Sequence, residues 1–209
     1  MKHLFKKLNI TWLSVIIFAI IIGIYTGSVM MITSLKDTSF QDIGISYECW
    51  LIFAVIIVVN CEKNFEAMLK CFVFFLISQP LIYLTQVVCG TLSFDLALYY
   101  YKSIWFLPTL LTLPGGFIAY YCKKQNLLGS IILGIGNTIQ AVLGIHYLYQ
   151  AIDRFPNHLL SSIISFASII IMALAIQKNK HNRIITFVVT FILTAAILLF
   201  VILDKRTMF

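Results

Sequence analysis

The chain has 209 residues, 61% of them hydrophobic and only 11% charged, with a mean hydropathy of +0.97. A soluble domain carries about a quarter charged residues, so an ordinary water-soluble fold is excluded and the solvent implied is lipid. The net charge of +7 lies in short loops with no long basic run and no RNA-binding motif; this argues against nucleic acid and for the bilayer as partner, with anionic lipids at the cytoplasmic face.

A membrane span needs about 20 apolar residues. The first candidate, 9–34, follows the basic stretch "MKHLFKK". Its apolar run from Ile10 to Met31 exceeds the ~7–15-residue core of a signal peptide and reads as an uncleaved first helix. Ala19, Gly23 and Gly27 share one face and include a GxxxG, which allows two backbones to approach closely. The second candidate, 43–60, is the weakest. Its apolar core "CWLIFAVIIVV" is short, Glu48 stands just outside it, and a re-entrant segment is the alternative.

The third span, 67–89, carries Gln79 before Pro80, with Tyr83 and Gln86 on the Gln79 face. The proline leaves the Leu76 carbonyl without its usual donor. The fourth, 97–121, contains Pro108, Pro114, Gly115 and Gly116. It reads as a kinked helix and a candidate hinge, with Thr109 and Thr112 near enough to serve the freed carbonyls. Asp95, Tyr99 and Lys102 fall at i, i+4 and i+7 on one face.

The fifth span, 127–149, places Ser130, Gly134, Asn137, Ala141, Gly144 and Tyr147 on one stripe. The sixth, 158–177, has Ser161, Ser165 and Ser168; the seventh, 184–203, has Thr186, Thr190 and Thr194. Such stripes either pack helices, with hydroxyls bonded back to their own backbone, or line a polar cavity. No apolar/polar alternation of a β-barrel is present.

The expected fold is therefore all-α: a polytopic bundle of about seven transmembrane helices in one domain, 1–209. Charge sets its orientation. With seven spans and the N-terminus inside, Lys2, Lys6, Lys7, Lys63, Lys70, Lys123, Lys124, Lys178, Lys180 and Arg183 are cytoplasmic, against Lys36, Lys102, Arg154, Lys205 and Arg206 outside. Ten against five obeys the positive-inside rule. If the second span does not cross, the split becomes seven against eight.

Five cysteines form no CxxC and no Cys/His ligand spacing, and only Cys49 and Cys89 are placed to meet in a disulfide. Walker, GxGxxG, GxSxG and HExxH patterns are absent. No catalytic residue, metal or cofactor is assigned.

A candidate ligand site gathers towards the outer half: Glu48, Gln79, Tyr83, Tyr99, Lys102, Trp105, Asn137, Gln140 and His146, with Lys102 and then Arg154 as partners for Glu48. Ionisable residues and amides inside a span are costly and point to function. Three functional readings fit. The first is a small-solute transporter or substrate-binding membrane subunit. The second is a non-catalytic accessory, immunity or lipid-binding scaffold protein with a membrane-protein partner. The third is an intramembrane enzyme. The Ile-rich, Lys-over-Arg composition and short loops place the chain in a plasma membrane, that of a bacterial inner membrane.

Overall fold

The computed structural model describes residues 9–45 and 47–207, with side chains for all of these except 43–48 and 204–207. Among the described residues the regular elements are all helical. Six helical stretches are long and apolar enough to cross a membrane: Trp12–Met31, Asn64–Val88, Phe94–Lys123, Leu127–Asp153, Leu159–Ile176 and Lys180–Leu203. The stretch expected as a second span is built differently. It is split into α2 (Ser39–Ile45) and α3 (Tyr47–Asn60). The 14 residues of α3 rise about 21 Å, short of the roughly 30 Å hydrocarbon core.

The chain divides into two compact units, residues 6–120 and residues 121–209. The first contains α1 (Trp12–Met31), α2, α3, α4 (Asn64–Val88), α5 (Phe94–Tyr100), a π turn (Tyr101–Trp105) and α6 (Phe106–Ala119). Thr11 starts α1 by accepting the Ser14 N–H at 3.2 Å, a standard N-cap that satisfies one orphan donor.

Helices α1 and α4 run parallel. Lys70 donates to the Ile10 carbonyl, 60 residues apart; Gln86 approaches the Met30 sulfur, 56 apart. A near-constant separation along two helices requires the same direction. The glycine face foreseen in α1 is the seam. A Cβ placed on Gly23 would lie 2.8 Å from the Ser78 carbonyl oxygen, and one on Gly27 2.5 Å from that of Ile82. Because α1 and α4 start at the same end, α2 and α3 must return the chain between them. A three-residue connection, 61–63, then joins α3 to α4. Phe74 is fully buried among rings from all three helices: 5.6 Å from Phe18, 5.7 Å from Trp50 and 6.2 Å from Phe53.

The second unit contains α7 (Leu127–Asp153), α8 (Leu159–Ile176) and α9 (Lys180–Thr207). Asn126 caps α7 by accepting the Gly129 N–H at 3.0 Å. Here too two helices, α7 and α9, are parallel. Thr186 reaches the Ser130 carbonyl at 3.3 Å and Thr190 that of Gly134 at 3.2 Å, both pairs 56 residues apart. A Cβ on Gly134 would come within 2.7 Å of Val189. Helix α8 runs the other way: Ser162 donates to the Gly144 carbonyl at 2.9 Å, and Tyr147 stacks on His158 at 5.9 Å. A three-residue connection, 177–179, joins α8 to α9. Its carbonyl end is capped by Arg183, which donates to Gln177 at 2.6 Å and to Leu174 at 3.2 Å, as cations do at helix C-termini.

The α1–α4 seam yields a direct test. Gly27→Ala forces a methyl against a backbone carbonyl, and overpacking of this kind costs about 1–3 kcal/mol. The expected result is a lowered thermal midpoint in detergent. An unchanged midpoint would mean that the helices are not in contact at Gly27.

Candidate functional site

In the first unit the site is set by an antiparallel seam between α4 and the segment 94–119. Tyr83 stacks on Tyr100 at 6.1 Å, Phe65 meets Phe117 at 5.6 Å, and the Tyr120 hydroxyl donates to the Glu62 carbonyl. This register puts Gln79 level with the π turn. The turn has a local cause. Pro108 has no N–H and its ring collides with the carbonyl four residues back, and the backbone widens just before it. The Phe106 N–H accordingly reaches the Tyr101 carbonyl, five residues back. π turns of this kind recur at functional sites.

Gln79 is 0% exposed, and neither its amide nitrogen nor its oxygen has a hydrogen-bond partner. Tyr83 and Trp105 are buried beside Ala97 in one cluster. A small apolar cavity of about 150 Å³ opens next to it, lined by Pro80, Tyr83, Val87, Ala97 and Tyr101 among others. Thr109, in α6, is buried and its hydroxyl has no partner. Thr112 donates to the Thr109 carbonyl at 2.6 Å. Neither threonine therefore serves the carbonyls of Ile104 and Leu110 that the prolines free, contrary to the expectation from their spacing.

Other expected residues fall elsewhere. Tyr99 is 64% exposed, and Lys102 and Asp95 are also exposed, so this face does not turn inward. The Glu48 side chain lies outside the described residues. Arg154 is exposed, as is His146, whose ring lies 5.8 Å from that of Tyr147. Within the candidate hinge, Pro114 sits inside continuous α6. A Cβ on Gly116 would meet the Met68 Cα at 3.1 Å, whereas one on Gly115 would meet nothing. Gly116 is thus a packing glycine. Cys49 and Cys89 are not joined by a disulfide; Cys49 is buried and Cys89 exposed.

In the second unit Asn137 and Gln140 lie on the buried face of α7, both 0% exposed. Neither polar atom of the Asn137 side chain has a partner, and the buried Thr194 hydroxyl on α9 has none either. The 56-residue register of α7 and α9 places Thr194 beside Thr138, next to Asn137. Thr190 and Thr186, one and two turns earlier, are used in packing; Thr194 is not.

One feature escaped the sequence reading. Lys70, counted above among the cytoplasmic basic residues at the start of the third span, lies within α4 and is only 4% exposed. It pairs with Glu66 at 2.6 Å, bonds the Ile10 carbonyl and lies 5.5 Å above the Trp12 ring. Glu66 also accepts the Glu62 N–H at 3.0 Å. A cavity of about 510 Å³ opens beside the pair, lined by Asn9, Thr11, Trp12, Asn60, Glu62, Glu66 and Lys70. The readable signal was the Glu66/Lys70 spacing of i, i+4.

No family model matches the chain, and neither a curated protein nor a solved structure is detectably similar to it. The chemistry must be read from the residues. Buried amides and hydroxyls without partners can bind, orient and release a hydrogen-bonding molecule. They supply no nucleophile–base pair.

A buried polar group left without a partner costs about 1–3 kcal/mol. Gln79→Leu should therefore raise the thermal midpoint of the ligand-free protein, whereas Lys70→Met, which breaks the Ile10 and Glu66 contacts, should lower it. A fall for Gln79→Leu would show that the amide is satisfied in the folded protein.

Proposed function

We propose that the chain is a small-solute transporter of the plasma membrane, in a bacterial inner membrane, with seven crossings and a cytoplasmic N-terminus. The observation that carries this reading is the doubled plan of the two units. Each has one parallel, glycine-packed helix pair, α1 with α4 and α7 with α9, and the return stretch is joined to the later helix of the pair by three residues. Internal structural repeats are a known way to build secondary transporters.

The same geometry supports a seventh crossing. If α1 and α4 both span the membrane in one direction, the stretch 32–63 must cross it in the other. α2 and α3 supply that return together, although α3 alone is short. The ten-to-five distribution of basic residues then supports a cytoplasmic start. The unpaired Gln79 and Asn137, placed well inside their helices, are the groups that a passing solute would meet.

A non-transporting accessory protein is the second reading. It is favoured by the small-residue stripes of α1, α7 and α9, which are largely consumed in helix contacts. It leaves the unpaired amides without a purpose.

The topology is tested by a reporter fused after Phe209, which should be active only on the outer side; cytoplasmic activity removes the seven-crossing arrangement. The function is tested with liposomes carrying the purified protein, incubated in a small-metabolite extract and analysed by mass spectrometry. At least one solute should accumulate relative to empty liposomes. If none does, the accessory reading takes its place.

A further inference from the structure

The groups left unpaired in the interior share one chemical property. Gln79 and Thr109 in the first unit, and Asn137 and Thr194 in the second, are all uncharged. Each set combines donors and acceptors: an amide offers two N–H donors and a carbonyl oxygen, a hydroxyl offers one of each. The charged pair set into α4 is not available in the same way. The Lys70 ammonium is engaged by Glu66 and the Ile10 carbonyl, and Glu66 in turn by Lys70 and the Glu62 N–H. Lys102, the basic residue expected in the site, is exposed.

Lipid-embedded protein with an amide but no opposite charge discriminates strongly. An ion would have to shed its hydration with no counter-charge to replace it, at a cost far above that of a neutral polar molecule. A neutral solute loses hydrogen bonds to water and regains them one for one from the amides and hydroxyls. Buried polar groups of this kind in a native protein call for an explanation, and a neutral hydrogen-bonding solute supplies one.

Resting on the transporter reading, we propose that the substrate is a small uncharged solute carrying both hydrogen-bond donors and acceptors, with one site within each unit: Gln79 and Thr109 in the first, Asn137 and Thr194 in the second. Rejection of ions then follows from the described groups, because neutral dipoles leave a charge uncompensated.

The experiment is uptake into liposomes carrying the full-length protein, using pairs that differ mainly in charge: glucose and gluconate, ribose and ribose 5-phosphate, nicotinamide and nicotinate. The neutral member of at least one pair should enter about tenfold faster or more than its charged partner. Gln79→Leu and Asn137→Leu should each reduce that uptake about tenfold, the loss expected for one hydrogen bond to a neutral group. Their thermal midpoints should be equal to or above that of the unaltered protein, which separates lost binding from lost folding. Preferential entry of a charged member overturns the substrate class and leaves transport standing. Full uptake by both leucine variants overturns the assigned residues. Absence of entry for all six solutes, with no thermal shift from any of them, removes both the class and the transport reading.

Discussion

Inside a bilayer there is no water to complete a hydrogen bond, and the rest of this structure follows from that constraint. Backbone groups are satisfied within helices. Hydroxyls turn back on their own backbone, as Ser78 does on Phe74 and Thr85 on Leu81 at 2.7 Å each. The charge buried in α4 is held by a carboxylate, a carbonyl and an aromatic face at once. Against this background of satisfied groups, Gln79, Thr109, Asn137 and Thr194 stand out among the described residues as buried side chains with polar atoms left without partners.

Close helix approach is the second consequence. Lipid offers no hydrophobic drive between apolar helices, so contact area and backbone proximity must supply it. Gly23 and Gly27 in α1 and Gly134 in α7 let parallel helices come near enough for a Cβ to collide. A parallel pair also imposes topology, because the intervening chain has to travel back. In the second unit α8 makes that return in 18 residues. In the first, α2 and α3 divide it between them, which is why a hydropathy window finds α8 readily and finds the earlier stretch only weakly.

This explains what could be read in advance. Six long helices were legible because burial in lipid demands long apolar runs, and the seams were legible because glycine, serine and threonine recur at helical spacing. The π turn was not: its cause, Pro108, was visible, but a proline permits a kink, a break or a widened turn, and the packing against α4 selects among them. The burial of Lys70 was not legible, because a basic residue near the end of an apolar run looks solvated until its partners are known. Glu66 was one turn away, yet the Ile10 carbonyl and the Trp12 ring come from distant sequence. Likewise, Gln79 and Asn137 were visible as costly amides, whereas their lack of partners depends on which atoms fold around them.

A sequence under selection for stability alone would not keep such amides. Leucine has the branching of asparagine and a volume near that of glutamine, suits a lipid-embedded helix better, and removes the desolvation cost of an unpaired amide. Polar groups that violate local consistency tend to mark function, where stability is traded for activity. The trade is more pronounced here because serine and threonine close by show how readily this chain satisfies a hydroxyl when packing is the only requirement. Thr186 and Thr190 each find a carbonyl across the α7–α9 seam, and Thr194, on the same face, finds none. A regular ladder that stops at the level of an unpaired asparagine is better explained by a partner that comes and goes than by imperfect packing.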